Sequence, residues 1–356
     1  MSTSELPIVS VAVPHGGNLS EAVRRYGIAL EHWIDLSTGI NPCGYPVPDI
    51  DAQAWLRLPD DDDDLEAIAA AHYGASRALA VAGTQAAIRM LPQVLPVGRI
   101  GIGLLTYGEY APAFAAAGFT VERFVTEPFA DRRDAADFLL APGVPLPATL
   151  THLVVVNPNN PGTESFDAAT LLDWHRQLVS RGGGLIVDEA FVEATPHLSV
   201  ASHVETDGLV VLRSVGKFYG LAGARAGFAL APAALDDAMR GLRGPWTVSG
   251  PTRSVVRAAL LDEPWQRTMR TQLCDASARL VALLERHGLK ATHTPLFAWT
   301  RCADAARLQD GLARRAIWVR RFDVVRGLRF GLPADERAWE RLDRALSEAL
   351  TTDDTL

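Results

Sequence analysis

The feature that most constrains this 356-residue chain is an alternation of short apolar runs with helix-length amphipathic stretches between residues 79 and 230. The runs are Leu79–Ala82, Ile100–Leu105, Leu153–Val156, Leu185–Val187, Leu209–Leu212 and Gly227–Leu230; Ala86–Leu95 and Asp167–Arg181 are among the helical stretches. Apolar strands separated by helices form βαβ units, which build a mostly parallel sheet covered on both faces. In such sheets ligands sit outside the carboxyl ends of the strands, so the residues that follow the runs are where chemistry is expected. The last hundred residues change character. Pro264–His287 reads as one long helix, Ala298–Thr300, Ile317–Val319 and Leu328–Phe330 as short strands, and Ala334–Leu350 as a closing helix. This predicts a smaller α+β lobe. The first 45 or so residues read as irregular, with Gly16–Gly17, Asn41–Pro42 and Pro46 as breakers.

Composition adds one sharp constraint. Of 34 basic residues only two are lysines, Lys217 and Lys290. Where only positive charge is needed this chain uses arginine, and a lysine is required only where an amine must be able to lose its proton. Lys290 follows Gly288 and Leu289 at a predicted helix end, where a cation suits the C-terminal dipole. Lys217 has different neighbours. Net charge is −8, which disfavours nucleic acid or a membrane surface as the main partner. Cys43, Cys274 and Cys302 are sparse and unpaired in spacing, as in a reducing compartment. The N-terminal stretch has no basic region of a secretory signal, and no run approaches a bilayer span. The expectation is a soluble cytoplasmic protein. The acidic run Asp60–Asp64 reads as a solvated loop leading into a helix start, and no metal site is expected there.

Four segments after strands carry the chemistry. Ser214-Val-Gly-Lys217-Phe-Tyr-Gly-Leu-Ala-Gly-Ala-Arg225 places a hydroxyl, an amine and a guanidinium where the first and last can share one phosphate while the amine meets an adjacent carbon. That suits pyridoxal phosphate, with Lys217 as its Schiff-base lysine and Ser214 and Arg225 on its phosphate. Asp188 ends the run Leu185–Val187, where an acid facing a pyridine nitrogen keeps it protonated; a helix cap is the plainer reading of the same residue. Asn157-Pro-Asn-Asn160-Pro-Gly makes a rigid turn that presents amides, one of which can reach the ring oxygen. Gly83-Thr84-Gln85 opens a helix directly after a strand, a ready anion site, and Tyr107 offers a face to stack on a ring.

Taken with these segments, the chain resembles the fold-type I pyridoxal-phosphate enzymes of the aspartate-aminotransferase superfamily, near the histidinol-phosphate aminotransferases. Within that group it is most similar to the threonine-phosphate decarboxylases of cobalamin biosynthesis. His15-Gly-Gly-Asn18, the stretch Trp33 to Pro42, Gly244 to Gly250 and Leu328-Arg329-Phe-Gly-Leu-Pro333 carry that closer likeness. The resemblance implies an α/β fold with residues 49–245 as the large cofactor domain and 246–356 as the small domain, residues 1–48 joining the small domain as a substrate cover. It implies Lys217, Asp188 and Tyr107 as the catalytic set. Gly83, Thr84, Gln85, Ser214 and Arg225 are implied around the cofactor phosphate, with Asn160 at the ring oxygen. Asn18, Asn41, Asn160, Arg320 and Arg329 are the implied substrate contacts. Arg329 would take the carboxylate and Arg320 the substrate phosphate, although the adjacent Arg321 competes until strand phase is known. The implied reaction is decarboxylation of L-threonine O-3-phosphate to (R)-1-amino-2-propanol O-2-phosphate in a homodimer. Transamination of histidinol phosphate is the alternative, because no residue type dictates which bond of the substrate breaks. Two departures point away from histidinol-phosphate aminotransferase. Phe191 stands where many aminotransferases have a tyrosine, and Leu58-Pro59 replaces an early Tyr-Pro.

Overall fold

The computed structural model describes residues 15–127 and 136–351. The stretch inspected above for a secretory signal lies outside the described residues as far as residue 14. In chain order, helix α1 (Leu19–Tyr26) precedes strand β1 (Ile34–Leu36), and α2 (Gln53–Leu56) and α3 (Leu65–Tyr73) lead to β2 (Leu79–Val81). Then come α4 (Thr84–Val94), β3 (Arg99–Gly103), α5 (Tyr110–Ala116), β4 (Thr120–Val125), β5 (Phe138–Leu139) and β6 (His152–Val156). Helix α6 (Ala168–Val179), β7 (Gly184–Asp188), β8 (Leu209–Ser214) and β9 (Gly227–Leu230) complete the alternating region. The remainder holds α7 (Ala233–Arg243), α8 (Gly250–Leu261), α9 (Glu263–Arg286), β10 (Ala291–Thr294), β11 (Phe297–Arg301), α10 (Ala305–Ala313), β12 (Ile317–Phe322), β13 (Gly327–Gly331) and α11 (Glu336–Thr351).

All six apolar runs form strands of one sheet, ordered β2-β9-β8-β7-β6-β3-β4-β5. Its centre is parallel and only β9 runs against its neighbours β2 and β8. Every residue of β6 and β7 is buried, which explains the apolar runs Leu153–Val156 and Leu185–Val187 within them. Strand β4 is absent from the sequence reading because Thr-Val-Glu-Arg-Phe-Val neither alternates strictly nor forms a continuous apolar run; its buried Glu122 pairs with Arg99 Nε at 2.5 Å.

A second sheet, ordered β1-β12-β13-β11-β10, forms the smaller layer. Here one expectation is corrected. The opening segment is not irregular: β1 pairs in parallel with β12, and α1 docks by packing Ala22 and Tyr26 against Trp33 and Trp318. Asn18 caps α1 by accepting from Glu21 N–H, and Gly27 closes it in the left-handed conformation. The breakers noted in the sequence lie at the ends of these elements, not through them.

The acidic run needs a second correction. It does lead into α3, but it is not simply solvated. Asp61 and Asp63 pair with the buried Arg253 of α8, Asp61 also meets the buried Arg243 of α7, and Asp64 meets Arg257. Buried guanidinium groups need carboxylates, and this loop supplies them. No described helix is long and apolar enough to cross a membrane.

Candidate active site

The carboxyl ends of β7 and β8 bring two of the sequence candidates together. Asp188, the last residue of β7, is buried, accepting Tyr110 O–H at 2.7 Å and Ala190 N–H at 3.0 Å. Burial pushes its carboxyl pKa up, against the pull of Tyr110, Ala190 and the Lys217 ammonium. The group is thus an anion short of a cation. Lys217 follows β8 by three residues. Its Nζ takes no hydrogen bond and no ion pair among the described residues and lies 5.6 Å over the ring of Phe191. Burial, aided by the charges of Arg329 and Arg225, brings the amine pKa down to about 8 although Asp188 opposes it. A dry amine that sheds its proton near neutrality is what carbonyl chemistry needs.

The start of α4 faces this pair. Gly83 caps the helix with φ 75°, a left-handed value that favours glycine, and a Cβ there would stand 2.8 Å from an Arg225 nitrogen. The Arg225 guanidinium therefore packs against Gly83 at the start of α4; it donates to the Ala222 carbonyl at 3.3 Å and meets no carboxylate among the described residues. A Cβ on Gly227 would come within 3.0 Å of Thr84 N, so β9 also presses close. Ser214 ends β8 beside them and accepts Gly216 N–H at 3.2 Å. Helix-start donors, a hydroxyl and a guanidinium without a carboxylate partner among the described residues suit a phosphate.

Tyr107 leads into α5, its O–H donating to Gln85 Oε1 at 3.1 Å, and burial with the charges of Glu109 and Asp188 lifts its pKa to about 12. Glu109 is a hub that sequence reading missed. It accepts from Gln85 Nε2 at 2.8 Å and Arg89 at 3.1 Å, and lies 2.8 Å from His15 Nε2. Tyr110, which steadies Asp188, was also missed; its three-residue spacing from Tyr107 was the available signal.

On the smaller sheet, Arg329 of β13 is buried. It donates to Asn160 Oδ1 and to the Ser37 carbonyl, and its Nε has no partner. Burial and then the nearby Arg320 charge pull its pKa down to about 9. A guanidinium does not deprotonate in practice, so the shift measures want of an anion. Arg320 of β12 stands directly opposite Arg329 in the antiparallel register, and opposed residues share a face. Arg321 falls opposite Leu328 on the other face and pairs with Asp323 at 3.0 Å. Strand phase therefore puts Arg320 with the candidate residues. The two remaining asparagines have their amides occupied by the protein itself. Asn18 caps α1, while Asn41 donates to the Phe218 carbonyl at 2.8 Å and accepts Cys43 N–H, pinning the loop that carries Lys217.

Beneath β7 and β8 lies a buried ionic layer. Arg213 donates to Glu189 at 2.7 Å and Glu193 at 2.5 Å, while His72 and Arg270 also reach Glu193. A cavity of about 450 Å³ lies alongside, at the ends of β3 and β4, walled by Glu164, Trp299, Arg301 and Lys290. None of the cofactor candidates lines it.

A buried lysine just after β8 within electrostatic reach of the buried aspartate that ends β7, an anion-suited helix start and opposed arginines are the features expected of a site for a phosphorylated aromatic aldehyde. Residues 34–345 match the family described as aminotransferase class I and II, and the chain belongs to that family. It is 48% identical over 336 residues to a Threonine-phosphate decarboxylase of Pseudomonas aeruginosa, covering 93% of this chain and 96% of that protein. It is 39% identical to a Threonine-phosphate decarboxylase of a Sinorhizobium species, over 96% and 98% of the two chains. Its fold matches the histidinol-phosphate aminotransferase of Sinorhizobium meliloti in complex with pyridoxal-5'-phosphate, with TM-score 0.76, 19% identity, and 98% and 99% of the chains covered. The fold is the fold-type I arrangement that the sequence implied.

Proposed function

We propose that this chain decarboxylates L-threonine O-3-phosphate to (R)-1-amino-2-propanol O-2-phosphate, as a step of cobalamin biosynthesis, with pyridoxal 5'-phosphate as cofactor. One observation carries the reading: 48% identity across nearly the whole of a protein named Threonine-phosphate decarboxylase. The site fits the cofactor, since the cradle at Gly83 is open only for want of a Cβ and Lys217 and Asp188 lack the partners their charges call for.

Gly83, Thr84, Gln85, Ser214 and Arg225 hold the cofactor phosphate. Tyr107 would pack on the bound ring, Asn160 would meet its oxygen and Asp188 would hold its nitrogen protonated. When bound, the cofactor supplies a protonated aromatic ring that accepts the electron pair left as carbon dioxide departs. Arg329 orients the substrate carboxylate, leaving Arg320 for the substrate phosphate; bidentate guanidinium contacts suit both anions. The wall of Phe191 and Phe297 excludes water, and Lys217 Nζ carries the proton that replaces the lost carboxylate. Asn41 and Asn18 act from behind, one on the Lys217 loop and one at the start of α1. We assign residues 49–245 to a cofactor domain and 246–356 with 1–48 to a smaller domain that covers the substrate.

The protein works as a cytoplasmic homodimer. Trp55, Leu56 and Leu58 are about two-thirds or more exposed, and Trp246, whose N–H donates to Asp61, is half exposed beside the same loop. A second copy is the simplest cover for such apolar surface.

The test is carbon dioxide release from holoenzyme given L-threonine O-3-phosphate without a keto acid. Many turnovers are expected. No release, with conversion of histidinol phosphate once 2-oxoglutarate is added, replaces the decarboxylase with an aminotransferase.

A further inference from the structure

Lys217 and Arg329 are both cations and both largely buried, and the Arg329 charge reaches Lys217 and lowers its pKa. Between them stand two phenyl rings. Phe191 and Phe297 meet edge to face at 5.2 Å and 81° and are 4% and 0% exposed. Lys217 Nζ lies over the ring of Phe191 at 5.6 Å, and Arg329 Cζ over the ring of Phe297 at 5.3 Å. The pair is seated against Gly39, where a Cβ would fall 2.8 Å from Phe297 Cδ1 and 3.0 Å from Phe191 Cε1. Ring faces attract cations without offering a proton acceptor, so each charge is held in place with its hydrogen-bonding capacity unspent.

We propose that the Phe191–Phe297 pair, seated on Gly39, is a positioning wall that keeps Lys217 Nζ dry and unpartnered and separates it from Arg329. The inference rests on the reading of Lys217 as the reacting amine, but its test does not require turnover. The charged groups that face Nζ are Asp188 at the end of β7, Arg225 before β9 and Arg329 on β13. Only Asp188 favours the ammonium, so a polar wall would shift the balance toward it.

The chain has two lysines, which makes the measurement direct. The full chain, freed of cofactor, is reductively methylated with ¹³C-formaldehyde, and the dimethylamine resonances are followed against pH. Lys217→Arg assigns its resonance, and Lys290 is the internal reference. Phe191→Gln, which offers an amide and admits water, should raise the Lys217 midpoint by about one pH unit. Gly39→Ala, which drives into both rings, should raise it in the same direction. Phe191→Leu, apolar and of similar size, should return it close to the parent value, which a general loss of packing would not do. If the Gln variant does not fold, Gly39→Ala gives the same reading. A Lys217 midpoint unmoved in every folded variant, or a Lys290 resonance that moves equally, overturns the proposal. Failure of the decarboxylase assay leaves these midpoints unchanged, so the two readings fail separately.

Discussion

At Lys217 the chain holds an ammonium where it is poorly solvated, and this has a pH signature. Its pKa is about 8 in the native chain against 10.5 for a free lysine. Between those values the unfolded chain binds more protons, so stability rises with pH across the window. Below pH 8 the burial costs about 3 kcal/mol. Lys217→Met should therefore stabilise the cofactor-free chain at pH 7 by about 2–3 kcal/mol in urea unfolding, the gain fading towards pH 10.5. Arg329 makes a different prediction. Arg329→Lys keeps the charge and loses the fork, and should raise KM for the phosphorylated substrate about 10- to 100-fold while cofactor affinity stays constant. Equal loss of both would make Arg329 a structural residue. Lys217 was legible in the sequence because lysine is so scarce here, and Asp188 because it ends a buried run. Glu109 was not, since its partners, Gln85 and Arg89 on α4 and His15 ahead of α1, lie 20 or more residues away in sequence and only packing brings them to it. The amide directions of Asn18 and Asn41 were equally invisible, because a residue type does not say what its side chain already holds.

At the scale of elements, the ends of β7 and β8 are braced from the opposite face by the Arg213 layer. Burial pushes the Glu193 carboxyl up, but Arg213, His72 and Arg270 together outweigh it and hold the pKa at about 2, below the ordinary 4.5. This contribution is present above pH 4.5 and is lost as pH falls towards 2. Glu193→Gln should flatten the acid limb of the stability profile followed by circular dichroism. Arg213→Met leaves the buried Glu189 without its cation and Glu193 with only His72 and Arg270, and should cost about 3–5 kcal/mol. The strands that carry these residues were readable because burial on both faces demands continuous apolar sequence. Strand β4 was hidden by the adjacent Glu122 and Arg123, which break both an apolar run and an alternation, and the ionic layer because a charged residue type does not show that its charge is buried.

For the whole molecule, the parallel sheet and the separate lobe were visible from periodicity, and assembly was implied only by resemblance. A Leu56→Glu, Leu58→Glu double variant should sediment as a monomer where the parent sediments as a dimer, since charge on an apolar contact face opposes association. A parent that is itself monomeric would refute the homodimer. The resemblance implied that the N-terminal segment joins the small domain, but its strand was not visible, because a three-residue strand has no period and its partner lies at the far end of the sequence. Residue Leu36 of β1 pairs with Val319 of β12, about 280 residues later. On a ribosome adding about 5–20 residues each second, that partner emerges tens of seconds after β1. The large sheet has every one of its strands by then. The first strand to be made is among the last to be placed, and until then it is an unpaired edge that the cell must keep from other chains.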